Sequence, residues 1–182
     1  KEYPGLIEMM AETYQKKVIQ YRLRKLPDLA WKDAQGRGFA LVPDEKSTLV
    51  VFWDALTPKG KEAFQQFQER PSMTYARQVL PDSVLDFAQY KRMIWVQMGG
   101  DAEKWREAIA GLPNHFAVQH CRVDTPQDLR ALKPYFYKEE LPIAFTLQPD
   151  LNIQSITDQP TALEIFRQVD SRGRIIWRPG RQ

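Results

Sequence analysis

Few side chains in this sequence can do covalent chemistry. Its 182 residues include one cysteine, Cys121, and two histidines, His115 and His120. A thiol beside an imidazole, as in His120-Cys121, is the pair a thiol enzyme would use, the imidazole drawing off the thiol proton. On a strand, however, neighbours point to opposite faces. The pair is therefore predicted not to meet, and Cys121 reads as a small buried hydrophobe. A single cysteine excludes dithiol exchange within the chain, which needs an attacking thiolate and a second thiol. One cysteine and two histidines leave too few ligands for a zinc site of three or four, so neither metal nor cofactor is expected. Asp54, Asp101 and Asp124 fall at strand ends, where α/β proteins place their chemistry. Asp101 and Asp124 precede helices and read first as caps; Asp54 stands just before a turn. "MGGD", Met98 to Asp101, is a glycine turn before a helix without either phosphate-loop pattern.

The elements around these residues form a regular series. An amphipathic helix is predicted after Pro4, with Leu6, Ile7, Met10, Tyr14, Val18 and Tyr21 at spacings of three and four and Pro27 as its stop. "DLAWKDAQGRGFALV" alternates about a glycine turn and predicts a hairpin. "STLVVFW" is the continuous apolar run of a central strand covered on both faces. Thr57 caps the next helix, with Pro58 in its first turn and Ala63, Phe64 and Phe67 as its buried stripe. "PDSVLDFAQY" predicts a short helix, and "RMIWVQM" a second apolar strand. A helix opened by Asp101 follows, then the strand "HFAVQHCRV" and a helix capped by Thr125. "LPIAFTLQPDLNIQSIT" reads as two strands about Pro149-Asp150, and "QPTALEIFRQVDSRG" as a last helix. Strands alternating with helices make an α/β fold with helices on both faces of a sheet of four or five strands.

Composition bounds the function. Net charge is +3, which is mildly basic and short of a nucleic-acid-binding signature. The basic stretches, Arg22 to Lys25 and the tail residues Arg172, Arg174, Arg178 and Arg181, read as solvated surface. No apolar run approaches the ~20 residues of a membrane helix.

The order of elements resembles the thioredoxin-like fold, and more narrowly the TlpA and ResA type redoxins. "PDLAWKDAQGRGFALV" is similar to their opening hairpin. "TLVVFWDALTPKGKEAF" matches their first core strand, site turn and helix. "MIWVQMGGDAEKWREAIAGL" and "ELPIAFTLQPDLNI" are similar to the later strands. The resemblance covers roughly Pro27 to Thr157. It implies a three-layer α/β/α domain with a mixed central sheet over residues 27–182, preceded by a helical extension over residues 1–26. A weaker similarity, through "LPIAFTLQPDLNIQSITDQPTALEIF", is to the thioredoxin-like pilus-assembly proteins of F-type conjugation machinery.

The family's catalytic residues do not carry over. Its nucleophilic and resolving cysteines would sit at Thr57 and Gly60, and the four places read Thr57, Pro58, Lys59, Gly60. What the resemblance leaves is a helix N-terminus with free N–H groups and a positive dipole end. Beside it falls the fold's cis-proline, at Pro142 or, in a second register, at Pro160. If the turn keeps redox geometry, cysteines placed at 57 and 60 should close a disulfide. The expected function is therefore a redox-inactive, non-enzymatic module that binds another protein in a secretion, conjugation or envelope complex. An extracytoplasmic, periplasmic location follows from the resemblance alone. The expected binding face comprises Trp53, Asp54, Thr57, Pro58, Lys59, Gly60 and Pro142, and would take an extended peptide or an acidic loop. The alternatives are an enzyme using Cys121 alone and a nucleic-acid-associated factor using the basic tail.

Overall fold

The computed structural model describes residues 4–68, 90–112 and 118–158. The expected helix in "QPTALEIFRQVDSRG", Pro160 and the basic tail lie outside the described residues, as does the expected helix in "PDSVLDFAQY" except for its last residue, Tyr90, which begins a strand instead.

Helix α1, Pro4–Val18, runs directly into a π-helical turn, Ile19–Leu23. The helical run thus ends before Pro27, at Arg24, whose φ is 59°. The ending is set by docking rather than by proline: Ile19 is buried in the core, and the Ile153 N–H donates to the Arg24 carbonyl at 2.6 Å. Strands β1, Trp31–Asp33, and β2, Gly38–Phe39, form the expected hairpin. β3 is Ser47–Trp53, and α2 is Pro58–Gln68. β4, Tyr90–Met98, leads to α3, Ala102–Ala110. β5, Gln119–Val123, leads to α4, Pro126–Leu132, and a 3-10 turn, Lys133–Tyr135. β6, Ile143–Leu147, and β7, Ile153–Thr157, close the described chain as a hairpin.

The strands make one seven-stranded mixed sheet, ordered β2-β1-β5-β4-β3-β6-β7, against the four or five expected. The additional strands are the short β1 and β2, which join an edge by pairing with β5. Their alternation predicts the hairpin, but not that β1 would pair with β5, a strand far away in the chain. β3 and β4 are parallel, as are β4 and β5, and β6 lies antiparallel on the other side of β3.

Side-chain alternation sends the two faces of the sheet to different cores. Leu49, Val51, Trp53 and Trp95 pack under α2 and α3 with Phe64, Phe67 and Trp105. Val50, Phe52, Ile94, Val96, Cys121 and Val123 pack on the opposite face with Ile19, Leu132 and Tyr135. The result is a three-layer α/β/α arrangement with an N-terminal helix.

Candidate functional site

The Thr57–Gly60 turn sits where β3 ends and α2 begins. The Thr57 hydroxyl donates to the Asp54 carbonyl at 2.9 Å and accepts from the Gly60 N–H at 3.1 Å. The Lys61 N–H reaches the Thr57 carbonyl at 3.1 Å, and Pro58 has no N–H to satisfy. Lys59 is then left with the one N–H of this first turn that has no partner among the described residues. The sequence suggested a row of free donors. The structure shows that the threonine hydroxyl has taken up part of that row, as an N-cap does.

Gly60 is buried, and a Cβ placed on it would stand 1.8 Å from the Asp54 carbonyl oxygen and 2.7 Å from its carbon. Both atoms are backbone. The expectation that cysteines at 57 and 60 would close a disulfide is therefore corrected, because position 60 has no room for any side chain while the turn keeps this form.

Asp54 is held from two sides. Its Oδ1 accepts from the Leu56 N–H at 3.0 Å and from Nε2 of Gln97 at 2.9 Å. The same Gln97 amide, fully buried in β4, accepts the Ala55 N–H at 2.7 Å. Sequence reading missed Gln97, although a glutamine inside the apolar run "RMIWVQM" was its signal: a buried amide has to be hydrogen-bonded. Trp53, expected on the exposed face, lies beneath it. It is fully buried and stacks on Phe64 with ring centroids 5.2 Å apart.

Across from the turn, Lys59 Nζ meets Glu140 Oε2 at 2.5 Å. Both side chains are well exposed, and this hydrogen bond holds the Glu140 carboxyl below its usual range. The Leu141-Pro142 bond that follows is cis. Pro142 is buried at the start of β6, where the β3–β6 register (Phe52 opposite Ile143) carries it toward the end of β3. Pro58, Lys59 and the segment before Pro142 thus form one surface. A groove of about 740 Å³ opens between the N-terminal helix and the segment after α4, with Tyr14, Val18, Met98, Leu129, Phe136 and Glu139 among its walls.

His120 and Cys121 do face opposite ways. His120 lies against Trp53 and Phe64, with centroids 6.0 and 5.4 Å away, and burial pushes it down to about 4. Cys121 faces the other core, fully buried, and desolvation, with Asp33 nearby, pushes its thiol up to about 12. A thiol so placed is not the exposed, thiolate-forming kind that exchange chemistry uses. Two residues after His120, the buried Arg122 donates to the Gly100 carbonyl at 2.9 Å and pairs with Asp124 at 3.0 Å. Asp101 caps α3 through the Glu103 and Lys104 N–H groups, which lower its pKa. Among the described residues no cluster of histidine, cysteine and carboxylate side chains suits a metal ion, and no helix is long and apolar enough to cross a membrane.

A mixed sheet between two helical layers, with a β3–turn–α2 junction beside a cis-proline, is the thioredoxin-like fold. The comparison with solved structures gives the same class. The thioredoxin domain of a thiol-disulfide oxidoreductase from Bacteroides vulgatus superposes with a TM-score of 0.54 at 16% identity, over 78% of this chain and 94% of that one. A thiol-disulfide oxidoreductase from Bacteroides fragilis gives 0.52 at 18%, over 78% and 95%. StoA from Bacillus subtilis gives 0.50 at 17%, over 76% and 92%. At such identities the likeness is one of fold. No protein-family model matches the sequence, and no curated protein matches it.

Proposed function

We propose that this chain is a thioredoxin-like domain that recognises polypeptide without performing dithiol exchange, and that it serves as an assembly or docking module in a larger complex. The observation that carries the reading is the state of the turn. Thr57 closes it with two hydrogen bonds, and Gly60 admits no side chain. The exposed Lys59 and Glu140 still form a surface beside the turn, while cis-Pro142, expected on it, is buried just behind. An extended segment laid along residues 139–141 would find the Lys59 N–H as a donor and the groove beside Phe136 for an apolar side chain. A carboxylate on it would compete with Glu140 for Lys59. The sequence's resemblance to redoxins, and its weaker one to pilus-assembly proteins, is what suggests an envelope, secretion or conjugation complex as the setting.

Two measurements test this. With a thiol donor, insulin reduction should stay at background, and catalytic turnover would overturn the redox-inactive assignment. Proteins captured by the purified chain should be lost with Lys59→Glu and kept with Ile7→Glu on the exposed side of α1. The opposite pattern would remove the turn from the binding surface.

A further inference from the structure

The exposed large apolar residues are unevenly placed. All those described except Val42 and Leu56 lie between Leu6 and Tyr21: Leu6, Ile7, Met9, Met10, Tyr14 and Tyr21. Ile7, Met10, Tyr14 and Tyr21 are each more than three-fifths exposed. At about 100° per residue, Leu6, Ile7, Met10, Tyr14 and Lys17 share one side of α1. Glu8, Glu12 and Lys16 fall away from that side. Glu12 lies near enough to Tyr137 to act on its hydroxyl, and Lys16 sits 4.4 Å over the Tyr137 ring. Both thus face the body of the domain. The outward side of α1 accordingly carries no carboxylate, and its one charge is Lys17.

Beyond Lys17 the positive charge accumulates. Arg22, Arg24 and Lys25 are exposed and, like Lys17, have no ion-pair partner among the described residues. Arg24 folds back so that its Nε donates to the Tyr21 carbonyl at 3.3 Å, which brings a guanidinium to the tyrosine end of the seam. An apolar seam with tyrosines toward one end, cations beyond them and no acid on the outward side matches a surface that is apolar below and negative above. We infer that α1 lies on an anionic phospholipid surface, its seam among the acyl chains and Tyr14, Tyr21 and the cations at the headgroups. The helix has 15 residues, about 22 Å at 1.5 Å each. That is too short for a hydrocarbon layer of about 30 Å, so it lies in the interface and does not span. Tyr14 also borders the groove beside Phe136, but Ile7, Met10 and Lys17 do not line it, so variants at those three residues test the seam without altering the Lys59–Glu140 face.

Flotation of the full chain with phosphatidylcholine vesicles, with and without phosphatidylserine, tests this. The chain should float with the anionic vesicles only, and added salt should weaken the association. Ile7→Glu with Met10→Glu should lower partitioning at least about tenfold, from the loss of two buried apolar side chains. Lys17→Gln with Arg22→Gln should lower it as well. These side chains are exposed, so circular dichroism should show the variants folded. No flotation with anionic vesicles, or equal flotation of the Ile7/Met10 variant, would overturn the inference. So would a dimer in solution that the same variant abolishes, because a second copy would then cover the seam.

Discussion

Two junctions at the C-terminal ends of neighbouring central strands, β3 to α2 and β4 to α3, solve the same geometrical problem by different means. At the first, the chain folds back so tightly that Gly60 rests on the Asp54 carbonyl, and Thr57 ties the turn together. At the second, two glycines at positive φ, Gly99 and Gly100, make the reversal, and Asp101 caps the helix through two N–H groups. The two junctions meet where a Gly100 Cβ would come 3.1 Å from Leu56. β5 braces both from below, the first with His120 against Trp53 and Phe64, the second with Arg122 on the Gly100 carbonyl. The first junction is therefore sensitive to added volume and to acid. The second depends on backbone conformation and on an ion pair. A glycine conserves space at one place and supplies φ at the other.

The largest expected effect is at Gly60. Gly60→Ala puts a methyl group into a backbone carbonyl, so the turn has to move, and the loss of stability should exceed about 3 kcal/mol. Denaturant unfolding measures it, and a loss below about 1 kcal/mol would show that the first junction is looser than described.

His120 comes next. Its folded pKa, about 4, lies below the ordinary 6.5. The unfolded chain therefore binds the proton first as pH falls. Stability is untouched above about 6.5, declines between there and 4, and levels off below. The decline amounts to something on the order of 3 kcal/mol. Carboxylates with lowered values, such as Asp158 under the pull of Lys138 against its own desolvation, contribute above their unfolded values and are lost only as pH drops further, from near 4 downward. His120→Phe should flatten the stability profile between pH 6.5 and 4 and leave the lower limb. An unchanged upper limb would remove His120 as the acid-sensitive brace.

The smallest effect distinguishes the caps. Thr57→Ala should cost about 1 kcal/mol, and Thr57→Ser should restore most of it, because serine supplies the same acceptor. Equal loss in both variants would mean that the methyl group, not the hydroxyl, holds the turn.

The sequence made the inner part of this architecture legible and left its contacts hidden. "STLVVFW" and "RMIWVQM" could be read as central strands because both faces of each are covered, so apolar character runs unbroken. The caps Thr57, Asp101 and Thr125 were visible as residue types at helix starts. The tightness around Gly60 was not, because it arises where a carbonyl three-dimensionally near but six residues back closes on the glycine, and no local pattern encodes that approach. Trp53 was placed on the surface by resemblance, whereas period-two alternation with Leu49 and Val51 assigns it to the core beneath α2. Glu140 escaped notice because its partner, Lys59, is far away in the chain.

The packing at Gly60 also bears on how this lineage can change. A cysteine at position 57 alone yields a solitary thiol, with no second sulfur to release a mixed disulfide. A cysteine at position 60 alone collides with the main chain before any sulfur chemistry begins. Both substitutions would have to arrive together with a rearranged 54–57 turn, and neither step is useful by itself. Such a turn works as a ratchet. Single substitutions can change the exposed Lys59 and Glu140 without disturbing the turn, but installing a working cysteine pair would require a coordinated jump that stepwise mutation rarely makes.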